Sequence, residues 1–103
     1  MQQSTGNGVL VFPVENRPRE KMAAYGAGVL SDAELMAVLL RTGTQEKSVM
    51  DLANELTFDG GLYKRLAGIS QLHELTKIKG LGMAKASTIL AAIEIGRRLA
   101  TVK

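Results

Sequence analysis

From residue 17 onward, apolar positions recur at three- and four-residue steps, and glycines cut the pattern into short pieces. Pro18 suits a first helical turn, and Gly26 is placed to end that helix. Ser31 and Glu34 have the S-x-x-E spacing of a capping box, just before Leu35, Met36, Val38, Leu39 and Leu40. Gly43 follows as a stop. Over 48–56, Val49, Leu52, Ala53 and Leu56 share one helical face, and Gly60-Gly61 breaks the run. Leu62 to Ala67 predicts another short helix. Ser70 is placed to cap the next, which carries Leu72, Leu75 and Ile78 on one side. After Gly80 and Gly82 a last helix runs from about Met83 to Ala100, with a narrow packing stripe of Ala86, Ile89, Ile93 and Gly96. Val9 to Val14, closed by Pro13, reads as extended, and no second strand exists to pair with it. The pattern predicts an all-α fold: a bundle of about five to six short helices over 17–103, preceded by a flexible or extended tail over 1–16.

Composition narrows the chemistry. At 103 residues, 46% hydrophobic and 22% charged, the chain matches one ordinary globular domain. With no cysteine it can form no disulfide, iron–sulfur cluster or thiolate zinc site, which fits a reducing, cytoplasmic setting. The single histidine, His73, beside Glu74, reads as solvated rather than as a ligand or catalytic base. No stretch reaches the about 18–20 apolar residues of a membrane span. The net charge of +3 conceals a division. Residues 1–61 carry five basic and eight acidic side chains, and residues 62–103 carry eight and two. A basic excess of that size can attract a polyanion.

Within the basic part, 75–89 has the spacing G-x-G-x-x-x-A-x-x-I, from Gly80 and Gly82 through Ala86 to Ile89. Glycines at 80 and 82 would allow backbone angles that a Cβ obstructs, so two helices reverse in a tight turn. Leu81 is predicted to point inward as a plug, and Ala86 is small where the helices pass closely. The start of the final helix then presents amides without intrahelical partners, a natural site for phosphate, with Lys79 and Lys85 on either side. These residues resemble the helix-hairpin-helix, over about 70–100, which implies a grip on nucleic-acid backbone without base reading. The predicted contacts are Lys79, Gly80, Leu81, Gly82, Ala84 and Lys85, with the amides of Leu81, Gly82 and Ala84 donating to phosphate.

The resemblance widens. R-P-R-E-K at 17–21, L-S-D-A-E-L at 30–35, L-R-T-G-T at 40–44, K-S-V at 47–49 and G-L-G-M-A-K-A at 80–86 occur in that order. The series is similar to the N-terminal region of the bacterial RadC family, named for DNA repair, over about Arg17 to Ala100. The family implies a C-terminal JAB/MPN-type metalloprotease-like domain with a zinc site, and the expectation is that this chain is the N-terminal region without it. Met83 stands where proline is common in the family hairpin.

Other constellations are ordinary. Gly26-Ala27-Gly28 fails as a second hairpin, because Asp32 would occupy the position of Ala86. No phosphate-binding nucleotide loop is present. Asp51 and Glu55 share a helical face with nothing to separate their pKa values. Lys85 is the one positional candidate for a glycosylase lysine, and no acid follows Glu94. Phe12, Tyr25, Phe58 and Tyr63 are dispersed and read as core or edge packing. The expectation is a monomeric, non-enzymatic module, without catalytic residues, cofactor, metal or membrane contact, that binds duplex or branched DNA weakly and independently of sequence. The alternative is a protein–protein or interdomain scaffold positioning the C-terminal zinc-dependent domain.

Overall fold

A computed structural model describes residues 17–58, 64, 66–69 and 71–102. The regular structure of the described residues is all helical, with no strand among them. The predicted tail over 1–16 lies outside them, as do the Gly60-Gly61 break and the Ser70 cap. In chain order the elements are α1 (Pro18–Tyr25), a 3-10 turn (Ala27–Val29), α2 (Asp32–Leu40), α3 (Val49–Leu56), α4 (Leu72–Thr76) and α5 (Met83–Leu99). Of the helix expected over 62–67, the described residues Lys64, Leu66 and Ala67 are helical.

Helix boundaries follow local chemistry. Pro18 opens α1, and Gly26 closes it at φ 91°, a conformation that favours glycine. Ser31 caps α2: its hydroxyl accepts from the Glu34 amide at 3.1 Å, and Glu34 Oε1 accepts from the Ser31 amide at 2.8 Å. That amide bond, and then the Lys21 ammonium 3.2 Å away, holds the Glu34 carboxyl below its ordinary value of 4.5 against the opposing effect of burial. Ser48 caps α3 through the Asp51 amide at 3.0 Å. Gly43 does not end α2. Arg41 does, at φ 71°, the one non-glycine with positive φ among the described residues. Gly43 is needed two residues later, where a Cβ would overlap the Lys47 carbonyl as the loop folds back and the Thr44 amide donates to it at 2.8 Å.

The core joins Met36, Ala37 and Leu40 of α2, Leu52, Ala53 and Leu56 of α3, Leu75 of α4, Leu81, and Ala86 and Ile89 of α5. Leu52, Leu75 and Ile89 are its largest fully buried side chains. Three expectations fail at the margins. Gly96 is exposed and packs on nothing, so the inner stripe of α5 ends at Ile93. Tyr25 and Phe58 are exposed rather than packed: Tyr25 ends α1, which buries no residue, and Phe58 follows the last buried residue of α3, Leu56, by two. The described aromatics therefore contribute nothing to the interior.

Gly80 joins the turn to the core. It adopts φ 96°, and a Cβ there would lie 3.0 Å from Leu52 Cδ1 and 3.6 Å from Thr44 Cγ2. Gly80→Ala should cost about 1–2 kcal/mol, from the positive φ and the Leu52 contact, and lower the thermal midpoint by roughly 5–15 °C. Gly28→Ala, where a Cβ meets nothing, should stay within about 0.5 kcal/mol. Circular dichroism melts of both variants check this. Leu52→Ala should cost about 2–5 kcal/mol, enough to unfold a marginal domain.

Glu34 makes the fold acid-sensitive. Because its folded pKa is lowered, its stabilisation is complete above pH 4.5 and is lost as the pH falls through that lowered value. Glu34→Gln keeps a cap acceptor but no charge, so it should cost about 0.5–1 kcal/mol at pH 7. Urea denaturation at pH 7 and pH 3 should show that gap closing in acid.

Candidate nucleic-acid interface

Residues 77–82 reverse the chain between α4 and α5, which pack against each other. The Ile78 amide donates to Leu75 O at 3.0 Å, and the Leu81 amide to Ile78 O at 3.0 Å. Leu81 is buried, as the inward plug that the spacing predicts. Its amide is therefore already used and is not open to the phosphate contact that the sequence predicts for it.

The amides on offer lie one step further on. The first intrahelical bond of α5 runs from the Ala86 amide to Gly82 O at 2.9 Å. The amides of Gly82, Met83, Ala84 and Lys85 precede it, and by helical geometry they have no acceptor within the helix. Gly82, Met83 and Ala84 are exposed. The sequence reading omitted Met83, whose amide belongs to the set through its position in the first turn alone.

This helix start differs from those before it. Acids occupy the first turns of α1 (Glu20), α2 (Asp32 and Glu34), α3 (Asp51) and α4 (Glu74). The first turn of α5 carries no acid, and its N-cap, Gly82, has no side chain with which to accept. The expectation that both turn glycines are conformationally required holds for Gly80 only. Gly82 sits at φ −79°, ψ −174°, the extended conformation of an ordinary N-cap, and a Cβ there would meet nothing within 4 Å. Serine or aspartate would fit and would cap the helix.

The two lysines are not equivalent. Lys79 is 82% exposed, with Nζ 3.6 Å from Glu46 Oε1 in an open pair that contributes little. Lys85 is half-buried, and its Nζ donates to Thr42 Oγ1 at 3.0 Å. The 41–48 loop thus stands beside the turn on both sides, fixing Lys85 and bringing Glu46 close to Lys79. Thr42 and Glu46 are more than thirty residues away in sequence, and no local pattern pointed to them. A hollow of about 320 Å³ between this loop and the turn is lined by Thr44, Gln45, Glu46, Lys47, Lys79 and Gly80. Its carboxylate makes it a poor anion pocket. His73, Asp51 and Glu55 are exposed and lie outside this surface, and Lys47 pairs with Glu55.

Among the described residues, no group of three or more His, Asp or Glu is placed to hold a metal ion, and no helix is long and apolar enough to cross a membrane.

A family model described as UPF0758 N-terminal matches residues 10–87. The chain is 48% identical over 90 residues to the UPF0758 protein YsxA of Bacillus subtilis, covering 85% of this chain and 38% of that protein. It is 51% identical over 90 residues to a UPF0758 protein of Bacillus licheniformis, covering 85% and 39%. A UPF0758 protein of Moorella thermoacetica is 48% identical over 97 residues, covering 92% and 42%. The chain thus spans about two fifths of the length of these curated relatives. No solved structure matches it. With the matched region covering most of the described helices, the chain belongs to the UPF0758 family, in its N-terminal part.

Proposed function

We propose that this domain is a non-enzymatic DNA-binding module that holds the phosphate backbone through a helix-hairpin-helix formed by α4, the turn and α5. The observation that carries the reading is the start of α5. It is exposed, free of acids, and capped by a glycine where the backbone would accept serine or aspartate without strain. Glycine caps less well than serine or aspartate, so leaving the better cap unused forgoes on the order of a few tenths of a kcal/mol of stability. A phosphate oxygen approaching the amides of Gly82, Met83 and Ala84 would supply that capping interaction, and a side chain at 82 would stand in its way.

Lys79 adds an exposed charge at the turn, and Lys85, held by Thr42, adds one at the first turn of α5. No base edge need be read, so binding is independent of sequence, and with few phosphates contacted it is weak and salt-sensitive. In the RadC-like setting that the sequence resembles, such a module would hold a larger protein on duplex or branched DNA during repair.

Gly82→Asp tests the reading, because stability and binding should move in opposite directions. The aspartate caps α5 and complements the helix dipole, so the fold should gain about 0.5–1 kcal/mol in urea denaturation. It also occupies the amides and repels phosphate. Amide shifts in an NMR titration with a short duplex at about 30 mM salt, where electrostatic binding is strongest, should therefore disappear. In the unaltered protein the shifts should centre on 82–85 and fade at high salt, and Lys85→Glu should reduce them. A Gly82→Asp protein that is stabilised and still binds DNA at the same residues would rule the site out.

A further inference from the structure

α5 is apolar on two opposite sides. One side, Ala86, Ile89 and Ile93, packs into the core. On the other, Ile95 and Leu99, followed by Val102 three residues past the helix end, recur at four- and three-residue steps and are 59%, 66% and 72% exposed. Exposed Ala91 and Thr88 extend this outer row toward the start of the helix with small side chains. A surface helix ordinarily turns a polar face to water, and one that is apolar on both sides has a second packing partner. The inner side is anchored as far as Arg97, whose guanidinium donates to Ile69 O at 3.1 Å. Beyond it the helix stands clear of the core.

We infer that this outer row is the packing surface for the C-terminal part of the full-length proteins of this family. Two observations select that occupant. The matching family model is the N-terminal one, and the relatives are about two and a half times as long as the region matched, so most of their length follows α5. The row is also small. Three aliphatic side chains cannot provide the roughly 1,200–2,000 Å² of a stable interface between separate molecules. A tethered segment does not need that area, because its effective concentration is on the order of millimolar. The surface thus suits a neighbour on the same chain better than a second copy. This inference is independent of DNA binding.

Hydrogen exchange tests it in two proteins: this chain alone, and this chain continued after Lys103 by the part of the Moorella thermoacetica relative that lies beyond the matched residues. Helix ends without tertiary contacts fray and exchange quickly, so docking should slow exchange over 91–102 by about tenfold or more in the longer protein. Leu99→Glu, at an exposed position, should remove that protection while the melt of the domain alone stays unchanged. The intact relative, measured at its aligned helix, gives the same reading with a natural junction. Equal exchange over 91–102 in the short and long proteins, and a fast-exchanging helix in the intact relative, would overturn the inference. So would protection that appears in the short chain as its concentration rises, together with a dimeric mass in sedimentation, because a second copy would then cover the row.

Discussion

Leu52 is the point on which the arrangement depends. It is fully buried on α3, and its Cδ1 would lie 3.0 Å from a Cβ at Gly80. The turn therefore rests on α3 only because residue 80 has no side chain. Leu75 and Ile89, the other two largest fully buried side chains, hold the helices on either side of that turn in the same cluster. Full burial of such residues contributes about 1.5–3 kcal/mol each, comparable in sum to the net stability of a small domain. The direction of α5 is consequently fixed by the core. Its first turn projects outward because Leu81 is drawn inward immediately before it.

A helix start held in that way can forgo its own cap. α2 has a reciprocal box of Ser31 and Glu34 reinforced by Lys21, and α3 has Ser48. These helices are each no longer than nine residues, and at that length a side-chain cap is an appreciable part of a helix's stability. α5 has seventeen residues and a buried inner stripe, so tertiary packing carries it without a cap. The freedom to leave amides open is thus a consequence of helix length and packing. It is available at the start of α5 and would be costly at α2 or α3.

Much of this was legible in the sequence, because capping and periodicity act within a few residues. The S-x-x-E box, Pro18, Gly26, the Leu52-Ala53-Leu56 face and the inward Leu81 follow from local rules. What escaped depends on contacts between distant segments. The positive φ of Arg41 has no local signature, since glycine two residues later looked like the natural stop. The Lys85–Thr42 bond and the Lys79–Glu46 pair exist only because the 41–48 loop folds beside the turn. The role of Gly82 was misread for a related reason: G-x-G suggests two constrained glycines, but only the first has a neighbour behind it.

Geometry also reduces the weight of the basic excess in residues 62–103. Arg97 and Arg98 lie fourteen and fifteen residues beyond Met83 on one straight helix, about 21 Å away at 1.5 Å per residue. That is twice the screening length of roughly 10 Å at 0.1 M salt, and both arginines are paired with Glu94. They contribute almost nothing to the field at the turn. Lys77, Lys79 and Lys85 remain there, partly offset by Glu46. The relevant charge is therefore two or three lysines rather than eight basic residues. On the proposed reading an anion would be held mainly by oriented amides, whose number is set by the backbone and whose exposure is set by Leu81, Gly80 and Leu52 beneath them.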